Sequence, residues 1–269
     1  SSDSRTIAYY KFDESHVKQF SMDKFNNNLY PSQEVFKYPK AGEDNSTVNI
    51  YLYNLEKEEK TLIYTEEDYE YIPRIKWSND PNLLTMIGLN RHQNKLDFLL
   101  VNSTDGSNRV LFSEEDKYYI DIHDNLTFLP NNFFIWTSEK KGYNHIFLKG
   151  LDGSEEQLTS GSWEVKSFKG LDSDKMQIFF TSTEDGSINR SLYVLDLETG
   201  KRKKLSTKIG TNSAKFSKGL KYYINTFSDA NTPPIYSLHK GDGTLINTIE
   251  DNSEFTNKIK DYNLSEKEF

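Results

Sequence analysis

Apolar and aromatic residues fall along this chain in short bursts separated by polar turn formers. No long stretch carries the uninterrupted i, i+3, i+4, i+7 spacing of an amphipathic helix. Asn49-Ile50-Tyr51-Leu52-Tyr53 and Lys221-Tyr222-Tyr223-Ile224-Asn225 are representative: short and rich in aromatic and β-branched side chains. Asp-Gly dipeptides stand at Asp105-Gly106, Asp152-Gly153, Asp185-Gly186 and Asp242-Gly243, and this pair supports the left-handed backbone of tight hairpins. The pattern predicts mostly antiparallel β-structure. The best helix candidates are Phe112–Asp116 and the tail segment Asn252–Lys260.

The bursts recur with a period. A strand, a polar turn and a short strand ending on an aliphatic residue run from Ile50 to Leu62 and from Leu96 to Leu111. They return from His145 to Leu158 and from Ser191 to Leu205, and more weakly from Ile235 to Ile246. The closing aliphatics stand 49, 47, 47 and 41 residues apart. That is the repeat length of a four-stranded propeller blade, roughly 40–50 residues. Each phrase is expected to be the outer hairpin of a blade. Upstream apolar runs such as Asn132–Thr137 and Met176–Thr181 are expected to be inner strands, buried by neighbouring blades on both sides. A two-sheet sandwich with periodic turns is the competing architecture.

One segment breaks the period. Val17 to Asn45 lies between the strands Ile7–Phe12 and Val48–Tyr53, too long for an ordinary hairpin loop. It carries Phe20, Phe25, Leu29, Tyr30, Val35, Phe36 and Tyr38, too apolar for a disordered loop. An ordered β-arm at 17–45 is expected, either folded back on its own blade or serving as a contact for a second subunit.

Composition narrows the function classes. The 269 residues include 33 basic and 41 acidic ones, a net charge of −8, which argues against a general nucleic-acid binder. Hydrophobic residues make up 35%, with 17 Tyr and 17 Phe, a balance that favours sheets over helices. There is no cysteine, so disulfides, thiolate catalysis and thiolate zinc sites are excluded. No apolar run reaches membrane-spanning length, and Ser1-Ser2-Asp3-Ser4 shows no charged-then-apolar leader pattern. The sequence has no Gly-x-Ser-x-Gly elbow, P-loop or dinucleotide fingerprint. His16, His92, His123, His145 and His239 are scattered, and no two share metal-ligand spacing. His145 sits inside a strand phrase and reads as structural. Asp172-Ser173-Asp174 reads as a turn, because a calcium loop's glycine and distal Glu are missing. Asp13-Glu14 is a conspicuous acidic pair whose plainest reading is a solvated strand end. No catalytic residue, metal or cofactor is expected.

Several phrases together resemble the N-terminal β-propeller of the dipeptidyl peptidase IV family, serine peptidases of the prolyl oligopeptidase clan. Ile7-Ala8-Tyr9-Tyr10-Lys11-Phe12-Asp13-Glu14-Ser15 matches a family strand and its acidic exit, and Tyr38-Pro39-Lys40-Ala41-Gly42 with Asn45 is the most specific match. Tyr71-Ile72-Pro73-Arg74 with Trp77, Leu89-Asn90-Arg91, Ser138-Glu139 with Gly142 and His145, Leu158–Val165, Ala214–Ser217 and Pro233-Pro234 follow in order. His16 and Ser46 depart from the family's common Glu and Pro.

The resemblance implies roughly five of the family's eight blades. It implies an α/β-hydrolase domain with the Ser-Asp-His triad downstream of residue 269, where Glu268-Phe269 matches the family's domain junction. The family's double-Glu motif and its supporting arginine find no match in this chain. Tyr118, Tyr119 and Asp121 align with the substrate-cavity rim, and the arm residues Phe20, Phe25, Tyr30, Phe36 and Tyr38 with the extension that meets a partner subunit. The expected function is therefore the non-catalytic, access-gating part of a peptidase that removes X-Pro or X-Ala dipeptides from peptide amino termini. A homodimer through the arm and no membrane contact from this segment are expected. A stand-alone protein- or ligand-binding propeller and a glycan-active propeller are the alternatives. The family implies a periplasmic or other extracytoplasmic location, and absent cysteine suits a bacterial source. Asn45, Asn102, Asn125, Asn189 and Asn263 head Asn-x-Ser/Thr sequons.

Overall fold

The predicted bursts form antiparallel sheets in which each strand pairs with a neighbour close in sequence. The structure is a computed structural model that describes residues 1–262, 264, 265 and 267; the sequon at Asn263 and the junction Glu268-Phe269 lie outside them. The chain divides into two compact units, Ser1–Ile122 and a second from His123 onward.

In the first unit β1 (Thr6–Asp13), β4 (Thr47–Asn54) and β5 (Glu59–Leu62) make a three-stranded sheet in the order β1-β4-β5. The arm strands β2 (Gln19–Lys24) and β3 (Ser32–Lys37) pair only with each other. A four-stranded sheet follows: β6 (Tyr71–Trp77), β7 (Leu83–Leu89), β8 (Lys95–Asn102) and β9 (Asn108–Glu115). Period two sets the core. Ile50 and Leu52 of β4 are buried against Leu84 and Met86 of β7 and Leu99 and Val101 of β8. Pro73, which has no N–H for a ladder bond, sits in β6 at the sheet edge, where the register shifts between Tyr71 and Arg74. The Tyr69 ring lies over Gly88; a Cβ there would stand 2.5 Å from it. Its hydroxyl donates to the buried Asp97 at 2.8 Å, and burial plus that carboxylate push the phenol's pKa well up.

The second unit holds three four-stranded sheets in simple up-down order. They are β10 (Thr127–Phe128), β11 (Phe133–Ser138), β12 (His145–Gly150) and β13 (Glu155–Gln157); β14 (Val165–Asp172), β15 (Gln177–Ser182), β16 (Ser191–Asp196) and β17 (Arg202–Lys204); and β18 (Thr211–Phe216), β19 (Tyr222–Ser228), β20 (Ile235–Lys240) and β21 (Leu245–Glu250). The middle sheet is covered on both faces. Ile178 and Phe180 of β15 join Ile135 and Ile146 in one cluster, while Phe179 between them joins Leu192, Ala214 and Tyr223 in another. Helix α1 (Ser253–Lys260) is the last regular element among the described residues, with Glu254 in its first turn and Lys258 and Lys260 in its last, charges that suit the helix dipole.

The architecture is all-β, a partial β-propeller of blade-type sheets: four of four strands and one of three, plus the two-stranded arm. Every repeated phrase of the sequence is the last two strands of a sheet, namely β4–β5, β8–β9, β12–β13, β16–β17 and β20–β21. The helix expected at the tail is α1, but Phe112–Asp116 is not helical. Phe112 to Glu115 continue β9, with Phe112 opposite Phe98 and their rings stacked at 4.9 Å. Pairing with a buried strand outweighs the local pattern of this short polar stretch. Asp172-Ser173-Asp174 is a turn, with Lys175 N donating to Asp172 Oδ1 at 3.2 Å.

His145 shows why the fold needs a neutral imidazole inside. It is 2% exposed, with Nδ1 3.1 Å from Thr159 Oγ1 and Nε2 3.1 Å from the carbonyl of Gly161. A carbonyl only accepts, so Nε2 carries the hydrogen and Nδ1 accepts from the Thr159 hydroxyl. The ring meets Trp163 edge-on at 4.9 Å. Burial holds its pKa below the ordinary value of 6.5. The unfolded ring therefore binds its proton first as pH falls, and stability drops below pH 6.5. Urea denaturation over a pH series should show this loss, and His145→Gln should flatten it; an unchanged slope would exclude His145 as its source.

Candidate functional site

The arm is the most conspicuous surface feature of the first unit. Its strands pair from Gln19 opposite Lys37 to Lys24 opposite Ser32. The tip turns through Asn26 and Asn27 at φ of 40° and 62°, a region that asparagine tolerates better than most residues. Phe20, Phe36 and Tyr38 pack on one another with ring centroids 5.7 to 6.1 Å apart, and Lys40 Nζ lies 5.0 Å from the Phe20 ring. Beyond this cluster the tip is bare: Phe25 is 56%, Leu29 86% and Tyr30 81% exposed. An ordered hairpin that exposes grouped large apolar side chains has the composition of a contact surface.

The root, in contrast, is fastened. Val17 is buried, and Lys37 Nζ donates to its carbonyl at 2.6 Å. Lys18 pairs with Glu43 at 2.5 Å, and Tyr38 N donates to the Lys18 carbonyl at 3.0 Å. Asn45 closes the segment. Its Nδ2 donates to Glu70 Oε1 at 2.7 Å and to the Tyr71 hydroxyl at 3.0 Å, while its carbonyl oxygen lies 2.7 Å from His16 Nε2. Arg91 completes the clamp, binding Glu70 Oε1 at 2.6 Å and the Glu43 carbonyl at 2.6 Å. The most family-specific phrase of the sequence thus ends on the residue that ties the arm root to the β6–β9 sheet.

Two cavities flank this root. One, of about 670 Å³, is acidic, with Asp44, Glu66, Glu67, Asp68 and Glu70 facing Arg91 and His16. The other, of about 700 Å³, is largely apolar, with Tyr10, Phe12, Val17, Ile72 and Ile75 beside Glu14 and Arg74. The expected rim residues Tyr118, Tyr119 and Asp121 come together on one exposed loop after β9. Asp116 Oδ1 accepts from the Tyr118 and Tyr119 amides at 2.7 and 3.2 Å, and Ile120 N donates to the Gln93 carbonyl at 2.9 Å. None of the three lines either cavity.

No group of three or more His, Asp or Glu side chains suited to a metal ion occurs among the described residues. One Ser–His pair was missed in the sequence. Ser237 Oγ and His239 Nε2 lie 2.8 Å apart on β20, and their i, i+2 spacing on a strand already implied a shared face. The other ring nitrogen faces the Gly243 carbonyl at 3.2 Å rather than a carboxylate, so the pair lacks the third member that orients a catalytic base. Among the sequons, the side-chain nitrogens of Asn45, Asn125 and Asn189 are all engaged in hydrogen bonds, whereas Asn102 is exposed.

Removing the clamp should loosen the arm. Asn45→Ala leaves Glu70 and Tyr71 each short of a donor and should cost about 1–2 kcal/mol. Hydrogen exchange should accelerate across residues 17–45 while the β14–β17 sheet stays protected; unchanged exchange in the arm would remove Asn45 from this role.

The whole chain has relatives. The family description "Dipeptidyl peptidase IV (DPP IV) N-terminal region" matches residues 1–234. Dipeptidyl peptidase 4 of Trichophyton rubrum is 27% identical over 293 residues, covering 100% of this chain and 37% of that protein. Dipeptidyl peptidase 4 of Arthroderma otae is 28% identical over 288 residues, covering 98% and 36%. The crystal structure of Porphyromonas gingivalis dipeptidyl peptidase 4 superimposes with a TM-score of 0.88 at 35% identity, over 97% of this chain and 37% of that one. The chain therefore spans a little over a third of the length of these relatives. A family match across most of its residues, on five blade-type sheets with an inserted arm, makes this chain a member of the dipeptidyl peptidase IV family, corresponding to its N-terminal region.

Proposed function

We propose that residues 1–269 are the non-catalytic propeller part of a serine dipeptidyl peptidase that releases X-Pro or X-Ala dipeptides from peptide amino termini. The observation that carries the reading is the family match over residues 1–234. In this reading the triad belongs to an α/β-hydrolase domain outside residues 1–269. The propeller forms a wall that admits short or unfolded chains, so its contribution is positioning and access rather than bond chemistry. Tyr118, Tyr119 and Asp121 contribute to the rim that meets extended substrate positions; their exposure on one loop supports this. The arm contributes a homodimer contact, which its bare apolar tip and fastened root support. The protein works outside the cytoplasm.

Two measurements test the reading. The full-length protein should hydrolyse a glycyl-prolyl anilide, whereas residues 1–269 alone should not; turnover by the isolated chain, or none by the full-length protein, overturns the assignment. In the full-length protein, Phe25→Ala with Tyr30→Ala should shift sedimentation from dimer toward monomer without loss of fold. An unchanged profile would take the dimer role away from the arm.

A further inference from the structure

Four of the five blade-type sheets have four strands; the sheet β1-β4-β5 has three. Its strands match the second, third and fourth of the others. β4 and β5 carry the repeated phrase, and β1 pairs with β4 as β7 pairs with β8. The place alongside β1, which β6, β10, β14 or β18 takes in the other sheets, holds no strand among the described residues.

The backbone of β1 shows which groups face that place. Leu55 N donates to the Arg5 carbonyl at 2.9 Å, one step beyond the pair Thr6–Asn54. Hydrogen bonding alternates along an antiparallel pair. Ile7, Tyr9 and Lys11 therefore bond to β4, while Thr6, Ala8, Tyr10 and Phe12 turn their N–H and C=O groups the other way. Thr6 is satisfied by a turn: Ser1 N donates to its carbonyl at 2.7 Å, and its N–H donates to Ser1 Oγ at 3.0 Å. Two four-stranded sheets close the hairpin between their first and second strands with the same bonds. Ser217 N donates to the Tyr222 carbonyl at 2.9 Å and Tyr222 N to Ser217 Oγ at 3.2 Å, and Ser78 N donates to the Leu83 carbonyl at 3.0 Å. Ser78 and Ser217 directly follow β6 and β18; Ser1 stands in the matching place before β1.

β1 also lacks the devices that protect an open edge. Three of the four first strands carry one: β6 has Pro73 and a register shift, β14 has two shifts, and β10 is only two residues long. β1 pairs with β4 over all eight residues without a shift. Along its edge lies the largely apolar cavity of about 700 Å³, lined by Tyr10 and Phe12 of β1 and by Ile72 and Ile75 of β6. Phe12 is 58% exposed there. A row of open backbone donors and acceptors beside an apolar wall fits an extended strand, whose backbone meets the first and whose alternate side chains meet the second.

We propose that β1 is an inner strand of the full-length protein. An extended segment of the same polypeptide from outside residues 1–269, joined through the turn at Ser1, pairs antiparallel with Ala8, Tyr10 and Phe12. It sets apolar side chains, at every second position, into the cavity against β6. The claim concerns the sheet and is independent of the peptidase reading, so neither readout below measures turnover. Hydrogen exchange in the full-length protein is read residue by residue. The amides of Ala8, Tyr10 and Phe12 should exchange as slowly as those of Ile7, Tyr9 and Lys11, about a hundredfold slower than open-edge amides. Fast exchange at these three positions alone would overturn the proposal. So would protection that fades on dilution, which would give the edge to a second copy of the chain. Phe12→Lys provides the second readout. At an exposed position it should leave the melting temperature unchanged; under an added strand it buries an unpaired charge and should lower it by several degrees. An unchanged melting temperature would count Phe12 as open to solvent and overturn the proposal.

Discussion

The sheets of this chain depend on burying their central strands on both faces. β15 shows the constraint at single-residue resolution. Ile178 and Phe180 point into one cluster and Phe179, between them, into another. An isolated four-stranded sheet would leave one of those faces in water. Fully burying one large apolar side chain contributes about 1.5–3 kcal/mol, so a sheet of this kind holds only when neighbours stack on it. The same requirement explains the short strands joined by tight Asp-Gly turns. Backbone groups are satisfied within the sheet, and the side chains bridge between sheets.

Polar groups enter these interfaces only with their partners. Asp97 is 3% exposed and accepts from Tyr69 and Ser113. His145 is placed between Thr159 and Gly161, with Trp163 against its ring. Arg202 lies over the rings of Trp163 and Tyr193 and binds Glu184 at 2.6 Å. Against that pattern the buried, unpaired acceptor of Asn225 stands out, because its neighbours Asn212, Ser237 and His239 are all paired. The arm follows another rule. Its aromatic trio packs ring against ring, its root is held by ammonium and amide donors on carbonyls and carboxylates, and its tip keeps its apolar groups in solvent.

Much of this was legible in the sequence. The spacing of Leu62, Leu111, Leu158, Leu205 and Ile246 marks the last-strand side of five successive sheets, because one blade must repeat its strand–turn–strand grammar to stack on the next. The inserted arm was legible as well, since an aromatic-rich stretch that interrupts the period cannot be a simple turn. Phe112–Asp116 was misread because five residues carry too little periodicity to separate a strand end from a helical turn. Its partner Phe98, fourteen residues away, settles the matter.

Sequence alone therefore determined the class of element and the repeat, because these rest on period-two patterning and turn chemistry that act locally; the family came from the resemblance of particular phrases such as Tyr38–Gly42 with Asn45. The tertiary structure decided which polar residues meet. Asn45, Glu70 and Arg91 are far apart in the chain and form one clamp. Asn212, Asn225 and Ser237 lie on three different strands and line one cavity. Hydrogen bonds have directions and lengths that no spacing rule encodes, so such sites exist only once the sheets have stacked.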